Sequence, residues 1–556
     1  MLRSLTKDAR VLFLVTPLSN LFDETGGYVT PSRPRFPILP ELMLASALRR
    51  KLPELKLQVI NPRVAGPDTF KVYKKIQYFN RAMEAVRTGA PMEDSKEDIE
   101  RADVICISNN FTQNAGVTCE LIAYAVSINP KAIIIVGGSD VAARYPIYMK
   151  AGADIACLAE GEKRLPAMIQ AFIDGTNFRE IPHLAVKDGS ETTLTSNFMN
   201  GKYLHLGSYP KKIDNWATDV NEMEFAALDL VDVSEFNESG EGLLIPGVSA
   251  PIMHFESSRG CHESCTFCTT PNLKGTSYRS MKNVRIRQML EYYRANGIRS
   301  LALNEDNLLS RAALDHDEGI AELIELFEIL KEMEFAWEFD GGLQFGLFWN
   351  NETQTIRQEL FDALFYNNGG KGGRWIGAYR IYVPLERLAD HDMKKFKKLQ
   401  PFEVELSIIK EMARIGCPTV YLGIIVGVPT DTDETIRITR ERCHEIRQAV
   451  ETVNGSHPNK PHTYTWYSFF NEILLPGSTD WMRFKDQLAF PVEEYPELWN
   501  FHTSVLNRND GKSPIHFHEK RYELSDEFNG SNALQRFRQV GRYQPNDGNI
   551  VLAAAV

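Results

Sequence analysis

From residue 10 to about 175 the chain alternates short apolar runs with amphipathic stretches. The runs VLFLVTP (11–17), LQVINP (57–62), VICISNN (104–110), AIIIVGGSD (132–140) and DIACLAEGE (154–162) are apolar at consecutive positions. That is the pattern of parallel strands covered on both faces. Helical spacing near 40–52, 70–87, 115–128, 141–151 and 164–174 separates them. Alternation of this kind predicts a doubly wound α/β sheet with a ligand crevice at the carboxyl ends of its strands. Ser108 and Asn109, Gly137, Gly138 and Ser139, and Glu160, Gly161 and Glu162 fall at those ends.

The pattern fades between 178 and 248 and then returns. Strands are predicted near 251–258, 300–306, 335–342, 378–386, 419–429 and 463–470, with helices between them. Six βα units are too few for an eight-unit barrel and fit a partial one. From about 485 the sequence is polar, irregular and proline-containing, without an assignable pattern. The expected organisation is therefore a Rossmann-like domain over 1–178, a connection over 179–248, a partial (β/α)6 TIM-type barrel over 249–482 and a C-terminal extension over 483–556. No repeat of 20–50 residues is visible.

Composition narrows the class. The 556 residues are 43% apolar and 24% charged, enough to build a large core. The net charge is −11 without a basic run, which speaks against a nucleic-acid partner. No apolar run reaches the roughly 20 residues needed to span a bilayer, so no membrane partner is expected. The start, MLRSLTKDARVLFLVTPL, places Arg3, Lys7 and Arg10 before an apolar stretch but lacks a small-residue cleavage site, and it reads as a buried first strand. The eight cysteines do not form a secreted disulfide framework, and a cytoplasmic location is expected.

Three of those cysteines, Cys261, Cys265 and Cys268, lie in RGCHESCTFCTT (259–270) with the spacing C-x3-C-x2-C. They come just after the first strand of the second series of βα units, where a parallel barrel carries its active-site loops. Three thiolates on one loop suit an iron–sulfur cluster or zinc. A structural zinc would need a fourth ligand, and the nearby candidate, His262, adjoins Cys261 too closely to share one tetrahedral ion without strain. A cubane held by three cysteines leaves one iron open for a non-protein ligand.

This motif, with Phe267 between the last two cysteines, resembles that of the radical S-adenosylmethionine (SAM) superfamily. The resemblance implies a [4Fe-4S] cluster on Cys261, Cys265 and Cys268 whose open iron chelates SAM, and reductive cleavage of SAM to a 5′-deoxyadenosyl radical. Other segments match in order. LNEDNLLSR ends the second strand, with Glu305 and Asp306 as the implied catalytic groups and Asn307 beside them. VPLER ends the fourth strand and keeps Glu386 of a G-x-E-S-like motif, while Pro384 and Arg387 depart from it. GIIVGVPTDTDETI carries Gly423, Gly427 and Pro429 of the G-x-I-x-G-x-P motif beside the adenine, and LLPGS (474–478) resembles the turn after the sixth strand.

The N-terminal segment VGGSDVAARYPIYMKAGADIACLAEGEKRLPAMI resembles the cobalamin-binding module that precedes this barrel in one subfamily. Ser108, Asn109, Gly137, Gly138, Ser139, Glu160, Gly161 and Glu162 are its implied cofactor contacts, together with Phe267, Glu386, Gly423, Gly427 and Pro429 in the barrel. The chain lacks a D-x-H-x-x-G motif, and its first histidine is His183. Base-off cobalamin without a histidine ligand is therefore expected.

The resemblance implies a cobalamin-dependent C-methyltransferase, which takes a hydrogen from an unactivated carbon and delivers a methyl group from methylcobalamin. Alternatives are a cobalamin-dependent cyclase or rearrangement enzyme, or a corrinoid-free enzyme modifying a peptide or tRNA. Implied partners are a small-molecule or peptide substrate and an electron donor such as flavodoxin or ferredoxin. NNGGKGGRW (367–375) lacks the G-K-[ST] ending of a P-loop and reads as a mobile loop at the barrel mouth. Trp466, Tyr467, Phe469 and Phe470 read as core, and His502, His516 and His518 as solvated or packed.

Overall fold

Arg10–Leu14 is buried from its second residue onward and pairs in parallel with Lys56–Ile60 on one side and Val104–Ser108 on the other. The sheet continues through Ile133–Gly137 and Ile155–Cys157, again in parallel, with Ser108 opposite Gly137. Leu184–Asp188 and Glu191–Leu194 then add an antiparallel edge. The sheet thus has seven strands and runs beyond residue 178. In this computed structural model the described residues are 4–23, 38–65, 69–78, 81–196, 216–236, 245–273, 277–341, 343–389, 400–428, 430–488, 494–500, 514–529 and 550–551. Helices Leu39–Lys51, Ala115–Ile128, Ser139–Ala151 and Gly161–Asp174 stand where the apolar spacing predicts them.

The stretch 70–87 does not. It forms the strands Thr69–Tyr78 and Arg81–Thr88, paired antiparallel, and Leu18–Asp23 pairs with the second of them. Lys75 and Gln77 are exposed around buried Ile76, and Met83 and Ala85 are buried on the partner strand. Alternating burial around Ile76 and consecutive burial from Ala85 to Thr88, in a run rich in Val, Ile and Tyr, outweigh its lysines and alanines as helix formers.

The second sheet has six parallel strands in chain order: Ile252–Phe255, Ser300–Leu303, Ala336–Phe339, Gly377–Glu386, Thr419–Val426 and Tyr464–Asn471. All six coincide with predicted strands. Its core includes Trp337, fully buried, whose indole N–H donates to the Leu364 carbonyl at 2.9 Å. The rings of Phe339, Phe348, Phe361 and Phe365 pack beside it. The result is an α/β molecule with two parallel sheets.

Two segments take places that the sequence did not indicate. Trp375 is buried against Ile245 and Val248, and the glycine-rich stretch before it leads into the amino end of Gly377–Glu386. It therefore lies at the end opposite the strand termini that carry the site, rather than at the barrel mouth. In the tail, helix Pro514–Asn529 covers Tyr464–Asn471: Asn529 accepts from the Tyr467 N–H at 2.9 Å and donates to its carbonyl at 3.0 Å. Tyr467 and Phe469 pack against Phe528 and belong to the core, as expected, whereas Trp466 is half-buried and Phe470 is exposed.

Candidate functional site

A cavity of about 390 Å³ opens between the carboxyl ends of the first sheet and the first two strands of the second. Phe13, Leu39, Met43, Leu44, Leu165 and Met168 make its inner wall apolar. Ser108, Gly137, Gly138, Ser139, Glu160, Gly161 and Glu162 line it, and His254, Glu256, Arg259 and Asn304 close it from the other side. A volume of this size falls within the 300–1,000 Å³ range of organic-ligand pockets. The expected crevice residues are thus brought together, with one exception. Asn109 turns inward: its Nδ2 donates to the Tyr148 hydroxyl at 2.8 Å and its backbone N–H to the Gly137 carbonyl at 2.9 Å.

The two crevice glycines differ. A Cβ on Gly137 would meet only Cys157, at 3.8 Å, so the position tolerates a Cβ in ordinary van der Waals contact. Gly138 has φ +107°, and a Cβ there would stand 2.5 Å from the Asn109 carbonyl oxygen. Its glycine is required by the fold of the loop itself. Sequence reasoning also missed Glu41. This carboxyl sits on the buried side of Leu39–Lys51, accepts from the Ser108 hydroxyl, and is raised above its ordinary pKa by burial, partly offset by that bond. Its signal was a glutamate inside the apolar run ILPELMLASAL. The other missed wall residue is His254, which burial holds down to about 4, so the imidazole is neutral at pH 7.

The cysteine loop begins directly after the short strand Ser258–Arg259, which pairs antiparallel with Arg279–Ser280. Cys261 and Cys265 are buried and Cys268 is partly exposed. The Cys268 N–H donates to the Cys265 carbonyl at 3.2 Å, and the Thr270 N–H lies 3.4 Å from Cys268 Sγ. Among the described residues no three His, Cys, Asp or Glu side chains converge on a single metal-ion position. A cubane takes each thiolate on a different iron, so its three ligands stand wider apart than ligands to one ion. The His262 ring is engaged by Ser310 at 2.8 Å and by Glu263 at 3.4 Å.

Glu305 and Asp306 hold this loop. Glu305 is buried and accepts from the Ser257 N–H and hydroxyl, both at 2.6 Å, and from the Ser258 hydroxyl. Burial raises its pKa to about 7 despite those donors. Asp306 accepts from the Gly260 N–H at 2.9 Å and from the Thr270 hydroxyl at 3.3 Å, bracketing the three cysteines. Asn307 is fully buried; its Nδ2 lies 3.6 Å from Cys261 Sγ and 3.2 Å from Gln344 Oε1. Its Oδ1 is a buried acceptor with no hydrogen-bond partner among the described residues.

The remaining expected residues gather on neighbouring strand ends. Phe267 packs on Val428, which puts the cysteine loop beside the turn after Thr419–Val426. Glu386 is buried at the end of its strand with φ +57°. A Cβ on Gly423 would overlap the Tyr382 hydroxyl, so this glycine serves packing. Gly427 has φ +81° and donates its N–H to Asp431. Pro429 lies outside the described residues. Arg387, a departure from the family's pattern, forms a buried pair with Asp431 (Nη1–Oδ2 2.9 Å) and donates to the Ile425 carbonyl at 2.7 Å. It ties the ends of two adjacent strands together.

A dense charge group joins crevice and loop. Arg279 donates to both Glu160 oxygens, at 3.0 and 2.5 Å, and to the Thr218 carbonyl at 2.6 Å. Arg259 stands 2.6 Å from Glu162, 2.9 Å from Glu256 and 3.8 Å from Glu160. Burial pushes the Glu160 pKa up, but the Arg279 hydrogen bonds and the charges of both arginines outweigh it and hold the carboxyl at about 2.

No protein-family model matches the chain. Over 375 residues it is 24% identical to the hopanoid C-3 methylase of Methylococcus capsulatus, a match covering 67% of this chain and 61% of that protein. Over 393 residues it is 24% identical to the cytidylyl-2-hydroxyethylphosphonate methyltransferase of Streptomyces wedmorensis, covering 68% and 65%. The matches thus span less than two thirds of these relatives' own length. Among solved structures, the cobalamin-dependent SAM radical enzyme OxsB with aqua-cobalamin and SAM superimposes with a TM-score of 0.64 at 14% identity, over 94% of this chain and 67% of that one. The methyltransferase TsrM of Kitasatospora setae, with tryptophan and a SAM analogue, gives 0.57 at 13% identity, over 93% and 88%. In sequence the chain is thus similar to two methyltransferases, and in fold to cobalamin-dependent radical SAM enzymes.

Proposed function

We propose that the chain is a cobalamin-dependent radical SAM enzyme whose reaction is methylation of an unactivated carbon. We read 1–178 with the adjoining edge hairpin as the corrinoid module, the six parallel strands from 252 to 471 as the partial barrel, and the segment from 483 as an extension that braces it. One observation carries this reading. The loop with the C-x3-C-x2-C motif begins at Arg259, which is itself a wall residue of the apolar cavity at the ends of the first sheet. The cavity and the cysteine loop therefore adjoin one another.

When bound, a [4Fe-4S] cluster with SAM supplies a carbon-centred radical and cobalamin supplies a methyl group. The chain's own residues bind and shield. Cys261, Cys265 and Cys268 would hold the cluster, and Asp306 fixes the loop at both ends. Asn307 Oδ1 would offer a buried acceptor to the amino group of SAM, and the turn after Thr419–Val426, with Gly427, adjoins Phe267 through Val428. Glu305, engaged by Ser257 and Ser258, orients the strand that leads into the loop. In the crevice, the apolar wall would receive the nucleotide tail of the corrinoid, with Ser108 and Glu41 as its polar contacts and Gly137 leaving room at the backbone.

Base-off cobalamin without an imidazole ligand belongs to this proposal; His254, from the second sheet, is the histidine on the cavity wall among the described residues. No helix among the described residues is long and apolar enough to cross a membrane. None of the eight cysteines is in a disulfide; a cytoplasmic location with a flavodoxin or ferredoxin as electron donor is part of the proposal. The test is anaerobic reconstitution with iron, sulfide and cobalamin, then reduction with SAM and candidate small molecules. Formation of 5′-deoxyadenosine with a product heavier by one methylene supports the proposal. A product of unchanged carbon count would move it to a cyclase or rearrangement enzyme, and lack of 5′-deoxyadenosine would overturn it.

A further inference from the structure

We propose that Glu160, Glu162, Arg259 and Arg279 form a positioning clamp that sets the cysteine loop in register over the crevice, so that the loop is correctly closed only when the two halves are docked. This rests on the reading that the crevice holds the corrinoid and the loop holds the cluster.

The base of the cysteine loop is the two-stranded ladder Ser258–Arg259 with Arg279–Ser280, in which Arg259 lies directly opposite Arg279. Two like charges facing each other across an antiparallel pair are destabilising. Both side chains are also largely buried, at 10% and 13% exposure, so water screens little of the repulsion. The ladder's own segment offers one carboxylate, Glu256 on Arg259. The others come from the first sheet: Glu160 is the residue before helix Gly161–Asp174 and Glu162 lies in its first turn. Glu160 takes Arg279 in a two-pronged grip, the geometry in which arginine is most selective for direction. Glu162 takes Arg259.

The connecting segment completes the ring. The Thr218 N–H donates to Glu160 at 2.8 Å, its hydroxyl to Glu162 at 3.2 Å, and its carbonyl accepts from Arg279. Register at the ladder then fixes the start of the cysteine loop. Gly260, the next residue, has φ +92°, a Cβ there would overlap the Ser277 carbonyl, and its N–H is held by Asp306. Cys261 comes immediately after it. A one-residue slip of this ladder would turn the thiol away from its site. The carboxylates that permit the ladder belong to the wall of the cavity, so the crevice and the loop are positioned by the same contacts.

Two measurements test the clamp. Hydrogen exchange on the full chain without cofactors should show amides of 258–280 exchanging roughly tenfold faster in Glu160→Gln, while strands Val104–Ser108 and Tyr464–Asn471 keep their rates. Unchanged exchange in 258–280, or equal acceleration everywhere, would overturn the proposal. In the reconstituted protein, pulsed dipolar electron paramagnetic resonance between the reduced cluster and cob(II)alamin should give a single narrow separation. Arg279→Ala should broaden it at undiminished iron and corrinoid content, and Arg279→Lys should fall between. An unchanged distribution in Arg279→Ala would overturn the clamp. If the parent chain holds no corrinoid, the proposed function fails, and the exchange result still decides the clamp.

Discussion

The two parallel sheets of this chain end in different chemistry. At the carboxyl ends of the first, an apolar wall of Leu39, Met43 and Met168 carries Ser108 and Glu41, while Glu160 and Glu162 are paired to Arg279 and Arg259. At the ends of the second, polar side chains are dense and bonded to the chain itself, as Glu305 to Ser257 and Asp306 to Gly260 and Thr270. An apolar wall with isolated hydrogen-bonding groups receives a large organic ligand. A loop cross-tied by carboxylates would hold its three thiols in place for the proposed cluster. Parallel sheets therefore supply the same scaffold, and the loops decide what is bound.

The largest expected effect breaks one side alone. Replacing Cys261, Cys265 and Cys268 together by Ala should abolish iron binding and 5′-deoxyadenosine formation while corrinoid retention persists. Full iron content in that variant would remove the distinction. Next come the two crevice glycines. Gly138→Val should cost about 3 kcal/mol in thermal or denaturant unfolding, because of its positive φ and the nearby Asn109 carbonyl. Gly137→Val should leave stability nearly unchanged and weaken corrinoid binding at least about tenfold, since its Cβ would clash with nothing in the chain while its side chain stands on the cavity wall. Equal effects of the two substitutions on unfolding would contradict the separate roles.

Acid should dissolve the contact between the regions in two windows. His254 is neutral in the fold down to about pH 4, against an ordinary value of 6.5. The unfolded chain takes up that proton first, so stability falls as pH drops from 6.5 toward 4. Glu160 has the depressed value of about 2 against 4.5, so its contribution is present above pH 4.5 and is lost as pH falls toward 2. That loss is about 3 kcal/mol. Unfolding measured against pH should lose the lower window in Glu160→Gln and the upper one in His254→Asn. The smallest effect is on the cluster. Asn307→Ala removes an N–H directed at Cys261 Sγ, and should lower the cluster's reduction potential by about 40 mV, as expected for one hydrogen bond of about 1 kcal/mol. An unchanged potential in redox titration would show that Asn307 does not act on the thiolate.

The sequence revealed these regions unequally. Strands such as IIIVG and VICIS declare themselves because burial on both faces needs unbroken apolar runs, and the C-x3-C-x2-C spacing is local. The hairpin of Thr69–Tyr78 and Arg81–Thr88 was hidden by residues that favour helices, since its partner Leu18–Asp23 lies far away in sequence. The charge group was hidden for a related reason: Glu160 and Arg279 are 119 positions apart, and no periodicity links them. Glu160 and Glu162 were recognisable as crevice residues, but their arginine partners were not. Helix Pro514–Asn529 was illegible because its packing surface is the aromatic strand it covers, not an amphipathic stripe of its own.

The most direct measurement is electron paramagnetic resonance of one anaerobic sample, loaded with iron, sulfide and cobalamin and then reduced. The expected spectrum contains a [4Fe-4S] signal that changes on addition of SAM, together with a cob(II)alamin signal free of axial nitrogen splitting. The same sample of the triple cysteine variant should keep only the second signal. A chain that binds iron but no corrinoid, or a cobalt signal lost together with the cluster in that variant, would contradict two cofactors held at the ends of two sheets. Nitrogen splitting that disappears in His254→Asn would instead assign the axial ligand to the second sheet.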